Sequence, residues 1–270
     1  MQMIRNSIYC NDAADTMGGW PENSVDLSIF SPPYDDIRTY GQDEPNKVDL
    51  HQIGLAAYRV TKPGGIVAMV IQDQTKDFAK SLTSFRTTVD WADNIGFRLF
   101  ECVIYNRPGK PGAWWNQRFR VDHEYIMIFL KGERPKYFNK EPLKIPAKYA
   151  GHVWSGTQRL TNGKLIPIER TEQKKLKCPG TVWTMGASTT ERNPLKTKHP
   201  APFPDKLAEN LILCFSQPGE LVVDFMCGSG TTLRMAQKHG RDFIGVDNSL
   251  EYCKLSQQML ELESNRQNAV

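Results

Sequence analysis

The tetrapeptide Ser31-Pro32-Pro33-Tyr34 follows directly on an apolar run from Val25 to Phe30. Neither proline has an N–H to donate, so a strand formed by the apolar run must end at this point. The Ser31 hydroxyl, the proline carbonyls and the Tyr34 ring would then lie at the carboxyl end of a strand, where open α/β sheets bind their ligands. Hydrogen-bond acceptors beside an aromatic face suit a planar heterocycle that carries an amino group. The alternative is an ordinary surface turn, which is the usual place of two adjacent prolines.

A second segment whose residues could bind a ligand lies later in the chain, between a strand pattern and a helix pattern. It consists of Asp224-Phe225-Met226-Cys227-Gly228-Ser229-Gly230-Thr231-Thr232. Gly228 and Gly230 let the backbone turn sharply and approach a ligand without interference from a Cβ atom. The amides that open the helix, together with the hydroxyls of Thr231 and Thr232, can bind a carboxylate or a phosphate.

Asp247 supplies a second carboxylate, at the end of the next predicted strand and 23 residues after Asp224. This spacing is typical of an acid that binds the ribose hydroxyls of a nucleoside. Leu233 stands where a dinucleotide fingerprint has its third glycine, and the Gly-Lys-Ser/Thr of a P-loop is absent from this segment. Asp224 would repel a pyrophosphate but could face an ammonium group. S-adenosylmethionine, which has a ribose and a zwitterionic amino acid, therefore fits better than a dinucleotide.

The rest of the chain predicts a scaffold of alternating strands and helices that would position these residues. Apolar runs bounded by turn residues predict strands over residues 7–10, 25–30, 65–71, 97–105, 123–130, 221–225 and 243–247. Helix patterns cover residues 12–20, 50–61, 82–94, 205–215, 231–239 and 250–262. This alternation predicts a doubly wound, mainly parallel α/β sheet, with strand 123–130 antiparallel to its predecessor.

The basic residues are concentrated in one part of the chain. Residues 131–199 contain 15 Lys and Arg against 5 Asp and Glu, and the rest of the chain is net acidic. Aromatic residues are interleaved with these charges, which favours a nucleic-acid surface over a merely solvated lysine-rich face. The regular pattern of elements dissolves over the same stretch, so an insert of roughly 65 residues is expected there.

The composition also bears on the class and compartment of the protein. The 270 residues include no apolar run of the roughly 20 that a membrane span needs. The first residues lack the apolar run of a signal peptide, which predicts an intracellular protein. The six cysteines are scattered without a Cys-x-x-Cys pair. This argues against a zinc site or a disulfide framework and for reduced thiols.

Taken together, the motifs resemble the amino-directed DNA methyltransferases, which methylate the exocyclic amine of cytosine (N4) or adenine (N6). The resemblance assigns residues 31–34 to that family's catalytic motif, residues 224–230 to its S-adenosylmethionine loop and Asp247 to its ribose acid. Lys198 and Pro200 lie in a segment that resembles the family's approach to the cofactor-side helix. The implied partner is double-stranded DNA, and a restriction-associated enzyme would have a cognate endonuclease that acts separately.

The order of the motifs resembles the β class of the family, because the catalytic motif precedes the cofactor loop. Such a permutation is tolerated since the termini of a domain often lie close together. In this order Asp12 matches the position that binds the cofactor adenine, although an N-cap is an equally good role for it. The implied fold is a permuted class I methyltransferase fold with about seven strands. The implied regions are a catalytic half over residues 1–131, a target-recognition insert over 132–195 and a cofactor-binding half over 196–270.

The mechanism implied by the resemblance has a physical basis. An exocyclic base amine is a poor nucleophile because its lone pair is delocalised into the ring. Hydrogen bonds accepted by Ser31 and the Pro32 carbonyl would localise that lone pair, and the sulfonium brings its own leaving group, so no metal is needed. The base must leave the duplex, and stacking on Tyr34 would offset that cost. Serine at the first motif position is associated in this family more often with cytosine N4 than with adenine N6, so cytosine N4 is expected.

A basic and aromatic loop over residues 107–120 joins two predicted strands. It could contact phosphates or enter the gap left by a flipped base, and its tryptophans could equally pack beneath the loop. The candidate DNA-contacting residues in this loop and in the insert are Arg107, Lys110, Trp114, Trp115, Arg118, Arg120, Arg159, Lys174, Lys175 and Lys177.

Two functions of other kinds stay open at this point. A non-catalytic DNA-binding module could keep the fold, although the intact glycine loop and tetrapeptide speak against it. A methyltransferase that acts on RNA or protein could share the cofactor site, with the basic insert binding a different polymer. The sequence leaves the oligomeric state as either a monomer or a homodimer.

Overall fold

The computed structural model describes residues 2–33, 48–108, 118–186 and 203–267. The chain divides into two compact units, one formed by Met1–Asn139 with Thr181–Val270 and the other by Lys140–Gly180. In the described part of the chain, no helix has the length and continuous apolar character that crossing a membrane requires.

The described helices and strands follow the predicted alternation. The strands are β1 (Ser7–Cys10), β2 (Val25–Phe30), β3 (Thr61–Ile71), β4 (Thr75–Lys76), β5 (Ala79–Lys80), β6 (Arg98–Asn106), β7 (His123–Leu130), β8 (Ile145–Pro146), β9 (Val153–Arg159), β10 (Leu165–Glu172), β11 (Leu176–Lys177), β12 (Val182–Thr184), β13 (Leu221–Asp224) and β14 (Asp242–Asp247). The α-helices are α1 (Ala13–Gly18), α2 (Leu50–Val60), α3 (Thr83–Asp90), α4 (Asp205–Phe215), α5 (Thr231–Lys238) and α6 (Leu250–Gln267). A π-helical turn over Trp91–Ile95 continues α3, and a 3₁₀ turn covers Glu141–Leu143.

The larger unit is built on one sheet of eight described strands in the order β1-β14-β13-β2-β3-β7-β6-β12. The strands from β1 to β3 in this order are mutually parallel. Strand β7 is antiparallel to both of its neighbours, β3 and β6, while β12 is parallel to β6. The predicted doubly wound, mainly parallel sheet and the antiparallel β7 are confirmed. The sheet has one strand more than the expected seven, because β12 adds to the edge at β6.

The core of the larger unit holds the two candidate motifs against each other. All six residues of β2 and all four of β13 are buried, as expected for strands covered on both faces of a parallel sheet. Phe30, which precedes the tetrapeptide, packs on Phe225 of the glycine loop with ring centroids 5.3 Å apart. Trp91 of the π-helical turn also stacks on Phe30, with ring centroids 6.2 Å apart. This aromatic contact fixes the end of β2 beside the end of β13.

Several element boundaries differ from the predictions, and two of the differences have an evident structural context. The predicted helix ends at residue 61 and the next predicted strand begins at residue 65, but α2 passes directly into β3, which begins at Thr61. An irregular register between Val25 and Leu27 of β2 accommodates this early start. Helix α3 ends at Asp90, where the π-helical turn replaces the last predicted turn of α-helix.

The smaller unit, Lys140–Gly180, is narrower than the predicted insert over residues 132–195. Within that predicted range, β12 pairs with β6 in the main sheet, and the Asn139 N–H donates to Cys214 O at 2.8 Å. The unit itself contains the antiparallel pairs β9–β10 and β8–β11. Its sequence has nine Lys and Arg against three Asp and Glu. Tyr149 and Trp154 lie edge to face on its surface, with ring centroids 6.3 Å apart.

Candidate active site

A cavity of about 500 Å3 lies at the carboxyl ends of the parallel strands. Parallel neighbours end at the same edge of a sheet, so residues that follow β1, β2, β13 and β14 meet there. Its lining includes these predicted site residues from both motifs: Asp12, Ser31, Pro33, Phe225, Gly228, Thr231 and Asp247. Residues of the tetrapeptide and of the glycine loop therefore line one cavity although they are distant in sequence.

The tetrapeptide side of the cavity begins where β2 ends at Phe30. Ser31 and Pro33 are half-buried and line the cavity, while Pro32 between them is buried. Tyr34 lies outside the described residues, so its predicted stacking role stays a prediction.

Asp224 at the end of β13 is 1% exposed and makes two hydrogen bonds with the loop that follows it. Its carboxylate accepts from the Thr232 hydroxyl at 2.6 Å and from the Met226 N–H at 3.1 Å. Burial, helped by the charge of nearby Asp247, raises the pKa of Asp224 to about 7 against the opposing effect of these hydrogen bonds. Asp224 is not among the residues that line the cavity. Its hydrogen bonds to Met226 and Thr232 hold the glycine loop in place. Its expected contact with an ammonium group stays a prediction.

Asp247 at the end of β14 lines the cavity directly and is 8% exposed. One carboxylate oxygen accepts from the Gly228 N–H at 2.8 Å and the other from the Ser249 N–H at 2.9 Å. Burial raises the pKa of Asp247, and both hydrogen bonds oppose that rise. Each carboxylate oxygen has a further lone pair, so Asp247 can also accept hydrogen bonds from hydroxyl groups in the cavity.

The glycine loop takes its shape from close packing on α6. Gly228 and Gly230 both have positive φ angles, 49° and 76°. A Cβ atom on Gly230 would lie 2.8 Å from the Ser256 hydroxyl and 3.2 Å from the Ser256 Cα. The same Ser256 hydroxyl donates to Gly228 O at 2.8 Å. Gly230 is therefore required both by its backbone conformation and by the space available.

Thr231 and Thr232 occupy the start of α5 and face different surroundings. Thr232 is bound to Asp224, as described above. Thr231 lines the cavity, and its buried hydroxyl has no hydrogen-bond partner among the described residues. A buried hydroxyl without a hydrogen-bond partner is unfavourable unless a ligand or a water molecule supplies the missing hydrogen bond. The first turn of α5 thus has an unused donor and acceptor on a residue that lines the cavity.

Asp12 is confirmed as an N-cap, and its predicted contact with the cofactor adenine stays a prediction. It is the N-cap of α1, where its carboxylate accepts from the Asp15 N–H at 3.0 Å, and it also lines the cavity. Sequence reasoning missed several other lining residues, namely Asn11, Asp49, Gln52, Phe203, Asn248 and Tyr252. Asp49 had a recognisable signal as the N-cap of α2, with hydrogen bonds from two amides of that helix. Its place beside the cavity depends on the order of the strands, which the sequence pattern left open.

The candidate DNA-contacting residues differ in their exposure and in their ion pairs. Arg107 forms an ion pair with Glu124 at 2.8 Å, which restrains its side chain, and Arg118 is half-buried. The exposed members are Arg120, Arg159, Lys174, Lys175 and Lys177. Six predicted site residues lie outside the described part of the chain: Tyr34, Lys110, Trp114, Trp115, Lys198 and Pro200.

The chain belongs to the DNA methylase family of N4- and N6-directed enzymes, whose sequence profile matches residues 25–258. It is 32% identical over 242 residues to the orphan methyltransferase M.BamHII of Bacillus amyloliquefaciens, which covers 88% of this chain and 89% of that protein. It is 26% identical over 272 residues to the DNA adenine methyltransferase YhdJ of Escherichia coli, covering 96% and 84%. Among solved structures, the cytosine-N4-specific PvuII DNA methyltransferase matches with a TM-score of 0.68 and 21% identity over 98% of this chain and 93% of that one.

Proposed function

We propose that this protein transfers a methyl group from S-adenosylmethionine to the exocyclic N4 amine of cytosine in double-stranded DNA, at a specific site. The observation that carries the proposal is the cavity shared by Ser31 and Asp247 in a member of the DNA methylase family. A methyl donor and an acceptor amine must meet in one place, and this cavity is lined by residues of both motifs.

The lining residues fit the parts of S-adenosylmethionine. The unpartnered hydroxyl of Thr231 and the first amides of α5 suit the carboxylate of the methionine part. Asp247 suits the ribose hydroxyls, and Asp12 suits an adenine amine. The volume of about 500 Å3 falls within the range of pockets that hold small molecules. When bound, the cofactor supplies a methyl group on a positively charged sulfur.

The residues of the tetrapeptide prepare the acceptor. The Ser31 hydroxyl oxygen and the Pro32 carbonyl accept hydrogen bonds from the base amine, which localises the nitrogen lone pair and stabilises the positive charge that develops on it. Because these acceptors are held by the end of a buried strand, they need no rearrangement during the reaction. Tyr34 stacks on the extruded base, and this contact offsets part of the cost of opening the duplex.

The choice of cytosine N4 depends on Ser31. Serine at this position is associated in the family with cytosine N4, and the similarly folded PvuII enzyme is cytosine-N4-specific. Adenine N6 is the second candidate, because the similar YhdJ protein is a DNA adenine methyltransferase. Nucleoside mass spectrometry of DNA from cells that express the protein distinguishes them: N4-methylcytosine supports the first choice, and N6-methyladenine replaces it with the second.

Transfer of labelled methyl groups from S-adenosylmethionine to duplex DNA tests the reaction itself. We expect incorporation by the wild type and a loss of at least about tenfold, the effect of one lost transition-state interaction, in Ser31→Ala and in Tyr34→Ala. Ser24→Ala is the matched control, since the Ser24 hydroxyl only donates to Pro21 O at 2.7 Å. Full activity in both site variants would refute the assigned roles. If calorimetry shows that the protein binds the cofactor but no methyl group is transferred to DNA, a non-catalytic DNA-binding module would be favoured.

A further inference from the structure

The smaller unit, Lys140–Gly180, contains a two-stranded antiparallel ribbon formed by β9 and β10. Among the described residues, no third strand pairs with either edge of this ribbon. All seven residues of β9 are exposed. A two-stranded ribbon that no layer covers gains little stability from its own packing, which directs attention to what could lie against it.

The ribbon is held in register by hydrogen bonds at both of its ends. At the turn, the Leu160 N–H donates to Lys164 O at 2.9 Å. At the open end, the Gln173 N–H donates to His152 O, also at 2.9 Å. The register between these ends is continuous apart from one bulge in β10. The side chains of the ribbon are therefore presented in a defined order.

The two faces of the ribbon differ in composition. Directly opposite residues of an antiparallel pair lie on the same face, and the face alternates along each strand. We call the face that contains Ser155, Thr157 and Arg159 of β9 the polar face. The register places Leu165 opposite Arg159 and Pro167 opposite Thr157 on this same face.

The other face, which contains Trp154, Ile166 and Ile168, makes contacts inside the unit. Trp154 Nε1 donates to Gln173 Oε1 at 2.9 Å, and its ring lies edge to face with Tyr149. Ile166 is half-buried. In contrast, the three β9 side chains of the polar face have no hydrogen bond or ion pair with any residue that the structure describes. The polar face is therefore the one that is available to a partner.

The charge of the unit indicates the chemistry of that partner. Its nine Lys and Arg against three Asp and Glu complement the phosphates of a nucleic acid. The major groove of B-form DNA is about 12 Å wide and admits a two-stranded ribbon. Residues two apart along a strand are separated by about 7 Å, which is about two base steps. Ser155, Thr157 and Arg159 thus have the spacing to reach successive base edges along the groove.

We propose that the β9–β10 ribbon lies in the major groove of the DNA substrate with its polar face toward the bases, and that Arg159 binds a guanine of the recognition sequence. This inference rests on the proposed function, because it concerns the sequence at which DNA is methylated. A guanidinium donates two parallel hydrogen bonds to guanine O6 and N7, the commonest base-specific contact of a protein. Arg159 is then a specificity residue, which selects the sequence and takes no part in methyl transfer.

The test combines a change in the protein with a change in the DNA. Mapping methylated bases in the expressing cells gives the recognition sequence, and each guanine in it is replaced in turn by 7-deazaguanine, which lacks the N7 acceptor. We expect one of these replacements to lower the wild-type kcat/KM by about fivefold or more and to leave Arg159→Ala unaffected. On the unmodified duplex, Arg159→Ala should itself lose about tenfold or more, the effect of one lost bidentate base contact.

Two controls separate a base contact from a general loss of charge or of folding. Lys164→Ala removes an exposed lysine from the turn of the same ribbon. It should weaken methylation of all sequences similarly and keep the wild-type sensitivity to 7-deazaguanine, as a phosphate contact does. Thermal unfolding of Arg159→Ala should match that of the wild type, because the Arg159 side chain bonds no described residue.

The outcomes separate this inference from the function on which it rests. If Arg159→Ala and the wild type are equally sensitive to every 7-deazaguanine duplex, the role of Arg159 is overturned while the methyltransferase activity stands. The same holds if Arg159→Ala loses activity uniformly on the recognition sequence and on its single base-pair variants. Duplex RNA that competes as well as DNA of the same sequence would overturn the placement in the groove, since the major groove of RNA is too narrow to read. A wild-type protein that methylates no duplex would overturn the proposed function itself.

Discussion

Thr231 and Thr232 are neighbours of identical type, yet their hydroxyls have opposite consequences for stability. The Thr232 hydroxyl is bound to buried Asp224, whereas the Thr231 hydroxyl is buried without a partner among the described residues. We expect Thr231→Val to keep or raise the free energy of unfolding and to weaken S-adenosylmethionine binding by about tenfold, the effect of one charge-assisted hydrogen bond. Calorimetric titration and thermal unfolding measure the two effects separately.

Thr232→Val is the matched comparison for that experiment. It removes a hydrogen bond from a buried carboxyl, so we expect it to lower the free energy of unfolding by about 1–3 kcal/mol. If both variants destabilise the fold equally, the Thr231 hydroxyl has a structural partner, and its assignment to the cofactor carboxylate is wrong.

The raised pKa of Asp224 predicts a dependence of stability on pH. Its folded-state pKa of about 7 exceeds the ordinary value of 3.8, so the folded protein keeps a proton that the unfolded chain releases between these values. The contribution of Asp224 to stability therefore falls as the pH rises from 3.8 toward 7, and it is constant above that range. Asn at this position has no charge to bury at any of these pH values.

The corresponding experiment is urea unfolding of the wild type and Asp224→Asn across this pH range. As the pH rises across this range, the free energy of unfolding of Asp224→Asn should increase relative to that of the wild type. The increase should reach up to about 4 kcal/mol, the value of a shift of about three pKa units. Taking the difference removes the contributions of other titrating groups. A difference that stays constant with pH would show that Asp224 remains ionised in the folded protein.

At the scale of elements, the glycine loop and α5 offer a direct comparison of two glycines with positive φ. Gly230 precedes α5 with a φ of 76°, and Gly240 follows it with a φ of 70°. A Cβ on Gly230 would meet Ser256, whereas a Cβ on Gly240 would meet no described atom within 4 Å. We expect Gly240→Ala to cost about 1 kcal/mol from its backbone alone and to leave cofactor binding unchanged.

Gly230→Ala should have a larger effect because it adds a steric conflict to the same backbone strain. We expect a loss of about 2–4 kcal/mol in the free energy of unfolding and a displaced loop that binds S-adenosylmethionine at least tenfold more weakly. Thermal unfolding and calorimetry of both variants provide the comparison. Equal behaviour of the two would mean that the packing of the loop on Ser256 does not shape the cofactor site.

The elements also explain which parts of the site the sequence could predict. The ends of β2 and β14 are marked locally, by two prolines and by an aspartate after an apolar run, so the sequence could place Ser31 and Asp247 at this edge of the sheet, and both line the cavity. Asp49 and Asn11 line the cavity only because the strand order brings their loops together, and that order depends on contacts distant in sequence. The position of Asp224 outside the cavity lining depends on its bonds to Thr232 and Met226, which a linear pattern does not contain.

The boundaries of the inserted unit were harder to predict for a related reason. Composition marks residues 131–199 as basic, but it does not distinguish a separate unit from an edge strand of the main sheet. Val182–Thr184 is a short strand whose partner, β6, is far away in sequence. Pairing with β6 assigns it to the larger unit, and only the three-dimensional arrangement reveals this.

At the scale of the whole molecule, charge is distributed unevenly between the two units. Lys140–Gly180 has nine basic against three acidic residues, and Lys174, Lys175 and Lys177 are exposed there. We expect these lysines to neutralise DNA phosphates, a contact that releases counterions and makes binding sensitive to salt. The slope of the logarithm of the binding constant against the logarithm of salt concentration is negative, and each single change to alanine should reduce its magnitude by about 1. Each change should also weaken binding to all sequences similarly.

Lys254→Ala is the control for these variants, since Lys254 is an exposed lysine on α6 in the other unit. Fluorescence anisotropy with one labelled duplex at several salt concentrations gives the slope for each protein. The control should keep the wild-type slope while the three variants in Lys140–Gly180 reduce it. Unchanged slopes in all three would place the phosphate contacts elsewhere on the molecule, and a reduced slope in Lys254→Ala would indicate a general charge effect.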